Sequence, residues 1–306
     1  MTYNSSYVIG IDIGGTNIRV GLVDDNLNVD SFCKHSQHPI LNGDSLTRLS
    51  DFILEYIEKY GKNKNIRALV VGIPGTIDKD RNIVLSAPNV NGFNGKNVTA
   101  HFKKLLSFPV FLERDVSLLF YYDLYYHKIP HEGVLIGFYV GTGLGNVISV
   151  DGKLLVGNDG VACELGHIPV LCKNDPCSCG NTGCVECYVA GKYLEELQKT
   201  VFPDVEINRL FEKRLKHDEI NSYIDRLSIP IATEITILNP RTIFIGGGVL
   251  AMKAFPTGLL EQCIRKYTRK PLPADNLHIL YSNDSGVNGI IGGAILARDK
   301  LKEASL

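Results

Sequence analysis

Two stretches of the chain repeat one design. Val8–Leu27 reads VIGIDIGGTNIRVGLVDDNL and Leu135–Leu154 reads LIGFYVGTGLGNVISVDGKL. In each, an apolar run meets a Gly/Thr turn, a second apolar run follows, and a turn containing Asp closes the stretch. Apolar runs bounded by such turns read as β-hairpins. A chain that builds the same hairpin twice, far apart, is expected to fold as two halves of similar design, and 306 residues suffice for two medium domains. The segments between the hairpins read as an α/β pattern. DSLTRLSDFILEYIEKY puts Leu46, Leu49, Ile53, Ile57 and Tyr60 on one helical face, and IRALVVGIPG and FPVFLERD read as buried strands. A helix is expected from about Val116 to His127, a long one around Pro230, and a last one from about Val287 to Lys302. Gly292, Gly293 and Ala294 in that last helix would let a neighbour approach closely. The expected division is 1–118, a smaller N-terminal domain rejoined by the C-terminal helix at about 288–306, and 119–287, a larger domain carrying a cysteine-rich loop.

The turns themselves carry chemistry. Gly14-Gly15-Thr16 and Gly141-Thr142-Gly143 can aim backbone N–H groups and a hydroxyl at one point, and such concavities bind phosphate oxygens. A single glycine hairpin turn is usually just a turn; a pair, one per half, suits a nucleotide held by both. No G-x-x-x-x-G-K-[ST] is present, and GTGLGN runs into a strand instead of a helix, which excludes the P-loop and the dinucleotide fingerprint. Asp12 is read inside the first turn, a carboxylate on an otherwise apolar strand, and a carboxylate beside a phosphate loop usually has Mg²⁺ between them.

The segment HIPVLCKNDPCSCGNTGCVEC, His167–Cys187, holds five of the eight cysteines. Cys177, Cys179 and Cys184 form C-x-C-G-x-x-G-C, with Gly180 and Gly183 permitting tight turns. With His167 they make a Cys₃His set, the pattern of a closed structural zinc site. Cys172 and Cys187 are alternatives for one ligand. The C-x-C spacing of Cys177 and Cys179 is not the C-x-x-C of a redox pair, and Glu164 precedes His167, which excludes the H-x-E of zinc deaminases. The net charge of -1 gives no electrostatic case for nucleic acid or a membrane surface. No signal peptide or spanning segment is read, so a reducing cytoplasmic setting is expected, which weighs against disulfides.

Taken together, DIGGT, GTGLG, ELGH, the cysteine run followed by Glu186, and IGGGV resemble the ROK family (repressor, ORF, kinase) in type and order. The resemblance covers nearly the whole chain. It implies a two-domain actin-like (ribonuclease H-like) ATPase fold with an interdomain cleft, and ATP-dependent transfer of a phosphoryl group to the 6-hydroxyl of a hexose. The segments SAPNV, ERDV, GHIPV and RKPLP make D-allose the expected sugar, ahead of glucose or N-acetylmannosamine. A non-catalytic sugar sensor or repressor is the rival reading; the first strand begins near Tyr7, so no DNA-binding helix-turn-helix is expected before it. The resemblance further implies Asp115 as catalytic base, a residue that would otherwise pass as a helix N-cap. Asn89, Glu164, His167 and Glu186 match the residues that contact the sugar, and Gly246, Gly247 and Gly248 match the loop near adenosine. ATP, Mg²⁺ and structural Zn²⁺ are the implied cofactors, and a homo-oligomer, a dimer, the implied assembly.

Two positions depart from the family pattern. Arg114 stands where Asn usually precedes the base, and either meets the sugar or turns away to pair with a carboxylate. Cys163 stands where ELGH is usually preceded by Gly.

Overall fold

A computed structural model of the protein describes residues 5–41, 43–170, 172–283 and 285–305. The chain divides into two compact units. One comprises the residues up to Lys128, the short segment Val156–Ala162, and the residues from Ser285 onward; the other comprises Ile129–Leu155 and Cys163–Asp284. The division falls ten residues or so beyond the expected 118, and the units are close to equal in length instead of small and large. The reason lies in the helix after Asp115. It packs on the C-terminal helix Asn288–Glu303, and so stays with the first unit.

The first unit is built on the strands β1 (Ser6–Ile13), β2 (Asn17–Asp24), β3 (Val29–Ser36) and β4 (Asn65–Ile73), the small hairpin β5 (Thr76–Ile77) and β6 (Val84–Ser86), and β7 (Val110–Arg114). The main sheet runs β3-β2-β1-β4-β7. β1 and β2 form the expected hairpin with antiparallel pairing, while β4 and β7 lie parallel to β1. Alternation along β1 sorts its side chains to two faces. Ile9, Ile11 and Ile13 are fully buried with the helices α1 (Gln37–Leu41), α2 (Ser45–Tyr56) and α3 (Val98–Lys103). Of the residues read onto one face of α2, Leu46, Leu49 and Ile53 are buried there. Beyond Tyr56 the helix widens into a π turn over Ile57–Gly61, where Ile57 and Tyr60 are half-buried.

The opposite face of the sheet carries Val8, Gly10 and Asp12. It meets α4 (Asp115–Tyr126) and the C-terminal helix. Small residues set this approach: a Cβ on Gly10 would sit 2.7 Å from the Ile290 carbonyl, and one on Gly292 would sit 1.8 Å from the Leu118 carbonyl. The glycine read from sequence as an approach point is thus the point where the two helices touch backbone to backbone.

The second unit repeats the plan. Its strands are β8 (Val134–Val140), β9 (Leu144–Val150), β10 (Lys153–Leu154), β11 (Thr242–Gly246) and β12 (His278–Tyr281), in the order β10-β9-β8-β11-β12. The antiparallel hairpin and the two parallel additions occupy the same places as in the first sheet. Helices α5 (Glu186–Val189), α6 (Gly191–Val201), α7 (Leu210–Arg214), α8 (Asp218–Leu238) and α9 (Thr257–Tyr267) bury a single large core with it. The long helix passes through Pro230 and ends on Asn239 in the left-handed region, where an amide side chain is tolerated. No helix among the described residues is long and apolar enough to cross a membrane.

Candidate active site

The residues singled out in the sequence fall into two sets, one in each unit. In the first unit they gather at the C-terminal edge of the parallel strands. Asp12 is the penultimate residue of β1, so it lies in the strand and not in the turn. It pairs across to Gly72 of β4, which in turn pairs with Glu113 of β7. Asp115 follows β7 directly and begins α4. Its own Oδ1 accepts from the Val116 N–H at 2.8 Å, which is local capping.

The two carboxylates at this sheet edge are both shifted from their ordinary values. Burial pushes the Asp115 carboxyl up to about 7, and the neighbouring charge of Asp12 adds to the rise. Burial also raises Asp12, against the pull of Arg19, whose guanidinium sits 3.0 Å away. A carboxyl poised near neutrality has the proton affinity that suits a general base. The C-terminal helix begins against Asp12: a Cβ on Gly289 would lie 3.0 Å from its carboxyl carbon. The turn Gly14–Thr16 lies next along the chain, and Gly15 packs beside Asn89. Gly14 spends its own N–H on the Asn17 carbonyl at 2.8 Å, closing the turn.

In the second unit the turn Gly141–Gly143 is closed more tightly, with the Gly141 N–H donating to the carbonyl of Gly143, two residues on. Two further elements converge on it. Gly191, the first residue of α6, donates to the Gly141 carbonyl at 2.7 Å, and a Cβ there would sit 2.6 Å from that oxygen. The start of an 11-residue helix is thereby held at the turn, and helix N-termini favour anions. Gly247, at φ +99°, lies against the Val140 carbonyl, and Val249 donates to the same oxygen at 2.9 Å. That brings Gly246–Gly248 beside the turn. Sequence reading missed Gly191 and Gly289, because a lone glycine carries no sign of what it will touch.

Glu186 joins the turn to the cysteine loop. Its Oε2 accepts from the Leu144 N–H at 2.8 Å, and a Cβ on Gly143 would lie 2.4 Å from that oxygen. Gly166 packs on the Glu186 side chain from the other side. One residue on, the His167 Nε2 lies 3.6 Å from Glu164 Oε2. Its other ring nitrogen, Nδ1, lies 3.5 Å from the Cys177 sulfur, and the sulfurs of Cys179 and Cys184 are 3.6 Å apart.

All four donor atoms fall within 4.8 Å of one another. Zn–S bonds of about 2.3 Å and Zn–N bonds of about 2.0 Å at tetrahedral angles give edges of about 3.8 Å between sulfurs and about 3.6 Å from sulfur to nitrogen. The donor set fits that cage. Gly180 and Gly183 both take positive φ, at +96° and +70°, as the tight turns of the loop require. Cys187 instead donates to the Pro176 carbonyl and Cys172 is exposed. Neither belongs to the set of four, and no disulfide forms among the described residues.

Arg114 is buried, and its Nη1 donates to the Ala162 carbonyl at 3.2 Å. Cys163 takes φ +66°, a left-handed conformation that suits the Gly usual there, and its sulfur donates to the Leu155 carbonyl.

The ROK family model matches residues 8–300. The glucokinase of Thermotoga maritima is 25% identical over 320 residues, covering 96% of this chain and 98% of that protein. The N-acetyl-D-glucosamine kinase of Salmonella typhimurium is 28% identical over 273 residues, covering 84% and 88%. Among solved structures, a ROK family glucokinase from Streptomyces griseus in complex with glucose and AMPPNP superposes with a TM-score of 0.79 at 25% identity, covering 96% and 99%. The architecture is therefore the actin-like ATPase fold.

Proposed function

The chain belongs to the ROK family, and from that premise we propose that it is an ATP-dependent hexose kinase acting on the sugar 6-hydroxyl. One observation carries the reading to a mechanism: the Asp115 carboxyl, raised to about 7, follows β7 directly and feels the charge of Asp12. Phosphoryl transfer asks the protein for a positioned nucleophile and stabilised charge more than for covalent chemistry. Asp115 holds the 6-hydroxyl and takes its proton as the oxygen attacks the γ-phosphorus. Asn89, Glu164, His167 and Glu186 orient the remaining hydroxyls, a polyol set that rejects analogues by leaving buried polar groups unpaired. The turns Gly14–Thr16 and Gly141–Gly143 and the start of α6 receive phosphate oxygens, and Gly246–Gly248 borders the nucleoside. Asp12 would hold Mg²⁺, which would supply neutralisation of phosphate charge. His167, Cys177, Cys179 and Cys184 would hold Zn²⁺ as a structural set of four. With Nδ1 so engaged, the His167 imidazole would keep Nε2 for a sugar hydroxyl, and the loop leading to Glu186 would be held in shape.

Kinases of glucose and N-acetyl-D-glucosamine stand among the relatives. Within the class we place D-allose first, on the resemblance of SAPNV, ERDV, GHIPV and RKPLP. A coupled ADP-release assay over allose, glucose, N-acetylglucosamine and N-acetylmannosamine tests both levels. A higher kcat/KM for any other sugar removes the allose reading and leaves the kinase. Binding without turnover on every sugar removes the kinase in favour of a sensor.

A further inference from the structure

The segment Val156–Ala162 is a strap. The chain leaves the second unit after Leu155, runs seven residues with the first unit, and returns at Cys163, one residue before Glu164. Three fixings hold it. Gly160, at φ +89°, is buried on the backbone of Ile77–Lys79 in the small β5–β6 hairpin, where a Cβ would sit 2.4 Å from the Ile77 carbonyl. The Ala162 N–H closes the strap on the Val156 carbonyl at 3.1 Å. Arg114 then donates to the carbonyl of Ala162, the strap's last residue.

The anchor is itself anchored. The Arg114 N–H donates to Glu113 Oε1 at 2.9 Å, and Glu113 Oε2 lies 3.4 Å from the Arg81 guanidinium, which belongs to the hairpin that seats Gly160. Hairpin, strand β7 and strap thus close a ring of contacts. The ring includes the residue immediately before Asp115 and ends immediately before Cys163-Glu164. A buried guanidinium donating to a carbonyl is a charge-assisted bond, and truncation takes that donor from a half-buried acceptor.

We infer that Arg114 is a positioning residue: as the last residue of β7, next to Asp115, it pins the strap to that strand, and so sets the placement of Glu164 for the sugar. The inference rests on the hexose-kinase reading. It assigns Arg114 to the strap and not to a sugar hydroxyl, and it makes this ring a determinant of sugar specificity.

The test uses the full chain and two readouts. In sugar-free protein, amide hydrogen exchange over 156–162 should quicken at least tenfold in Arg114→Ala. Steady-state kinetics on the preferred hexose should show a sugar KM raised about tenfold or more, with the ATP KM changed less than about twofold, since the nucleotide residues lie elsewhere. Arg114→Lys, long enough to reach the Ala162 carbonyl, should recover most of the sugar KM. Arg114→Asn, which offers an amide to a sugar but is too short for the strap, should resemble Arg114→Ala.

Gly160→Ala loosens the strap from its other fixing and should give the same signature with Arg114 intact. Unchanged exchange in Arg114→Ala overturns the anchor. Quickened exchange with an unchanged sugar KM overturns the link to Glu164. Recovery by Asn but not Lys makes Arg114 a direct sugar contact. If the wild-type chain phosphorylates no hexose, the kinase reading fails, while the exchange result still decides the anchor.

Discussion

The Asp115 carboxyl links activity to stability with opposite signs. Its ordinary value of 3.8 is raised to about 7, chiefly by burial and then by the charge of Asp12. A gap of about three pH units corresponds to about 4 kcal/mol at 1.36 kcal/mol per unit. Because the folded value lies above the unfolded one, the stability tied to the bound proton is fully present below about pH 3.8 and is lost as pH climbs through 7. Asp115→Asn is neutral throughout and keeps the oxygen that accepts from the Val116 N–H. Hydration of the partly exposed carboxylate trims the full figure. The variant should therefore be more stable than the wild type by about 2–4 kcal/mol at pH 8, by about half as much at pH 5.5, and by almost nothing near pH 3.8. Native-state hydrogen exchange of β1 and β4 amides reads this in the unit that holds Asp115, without assuming that both units unfold together. The same substitution removes the proposed base and should lower kcat by about 10²-fold or more. In the wild type, kcat/KM should fall about tenfold per pH unit below 7 and level off above it. A stability difference that does not vary with pH refutes the buried, costly carboxylate. A stabilised variant with near-normal turnover refutes the base.

Other substitutions probe the remaining parts. Cys179→Ser should cut zinc content from one per chain and raise the sugar KM while sparing the ATP KM; wild-type protein that is fully active yet metal-free by elemental analysis contradicts the zinc site. Gly143→Ala puts a Cβ 2.4 Å from Glu186 Oε2 and should break the bond to Leu144 N–H, raising the sugar KM about tenfold; crystals or NMR showing that bond intact with normal kinetics would count against Glu186. Gly292→Ala forces α4 and the C-terminal helix apart at Leu118 and should destabilise by about 2 kcal/mol even after the better helix propensity of Ala, as urea unfolding would show.

Features that depend on residue type and spacing were legible in the sequence. The two hairpins announced themselves because apolar runs and glycine turns are local, and their sheets share one topology. Asp12 stood out as a carboxylate among apolar neighbours, and the cysteine loop because few arrangements bring three sulfurs and an imidazole together. What stayed hidden depends on backbone atoms that every residue has. The Ala162 carbonyl has no signature that marks it as the partner of Arg114. Gly191 and Gly289 look like any glycine until a turn or a carboxylate arrives beside them. That the first unit runs on to Lys128 is hidden for the same reason: the helix from Asp115 lies with the C-terminal helix through the contact of Gly292 with a carbonyl.

The shared topology also shows how two copies of one sheet come to do different chemistry. Counting back from the hairpin turns, Asp12 in the first unit corresponds to Tyr139 in the second. Tyr139 is buried and packs against Gly246. The first unit thus has a carboxylate at that position and adds Asp115 at the same edge; burial and the charge of Asp12 raise Asp115, while Asp12 is raised by its own burial against the pull of Arg19. The second unit has a neutral ring there and instead presents a glycine turn and the start of α6, which attract an anion. Its carboxylate, Glu186, enters from a helix behind Gly143 and accepts from the Leu144 N–H. Proton transfer needs an environment hostile to ionisation, and phosphate binding needs one that welcomes negative charge. In the proposed kinase the position occupied by Asp12 or Tyr139 is where the two edges differ: a carboxylate suited to Mg²⁺ in one, a neutral ring in the other.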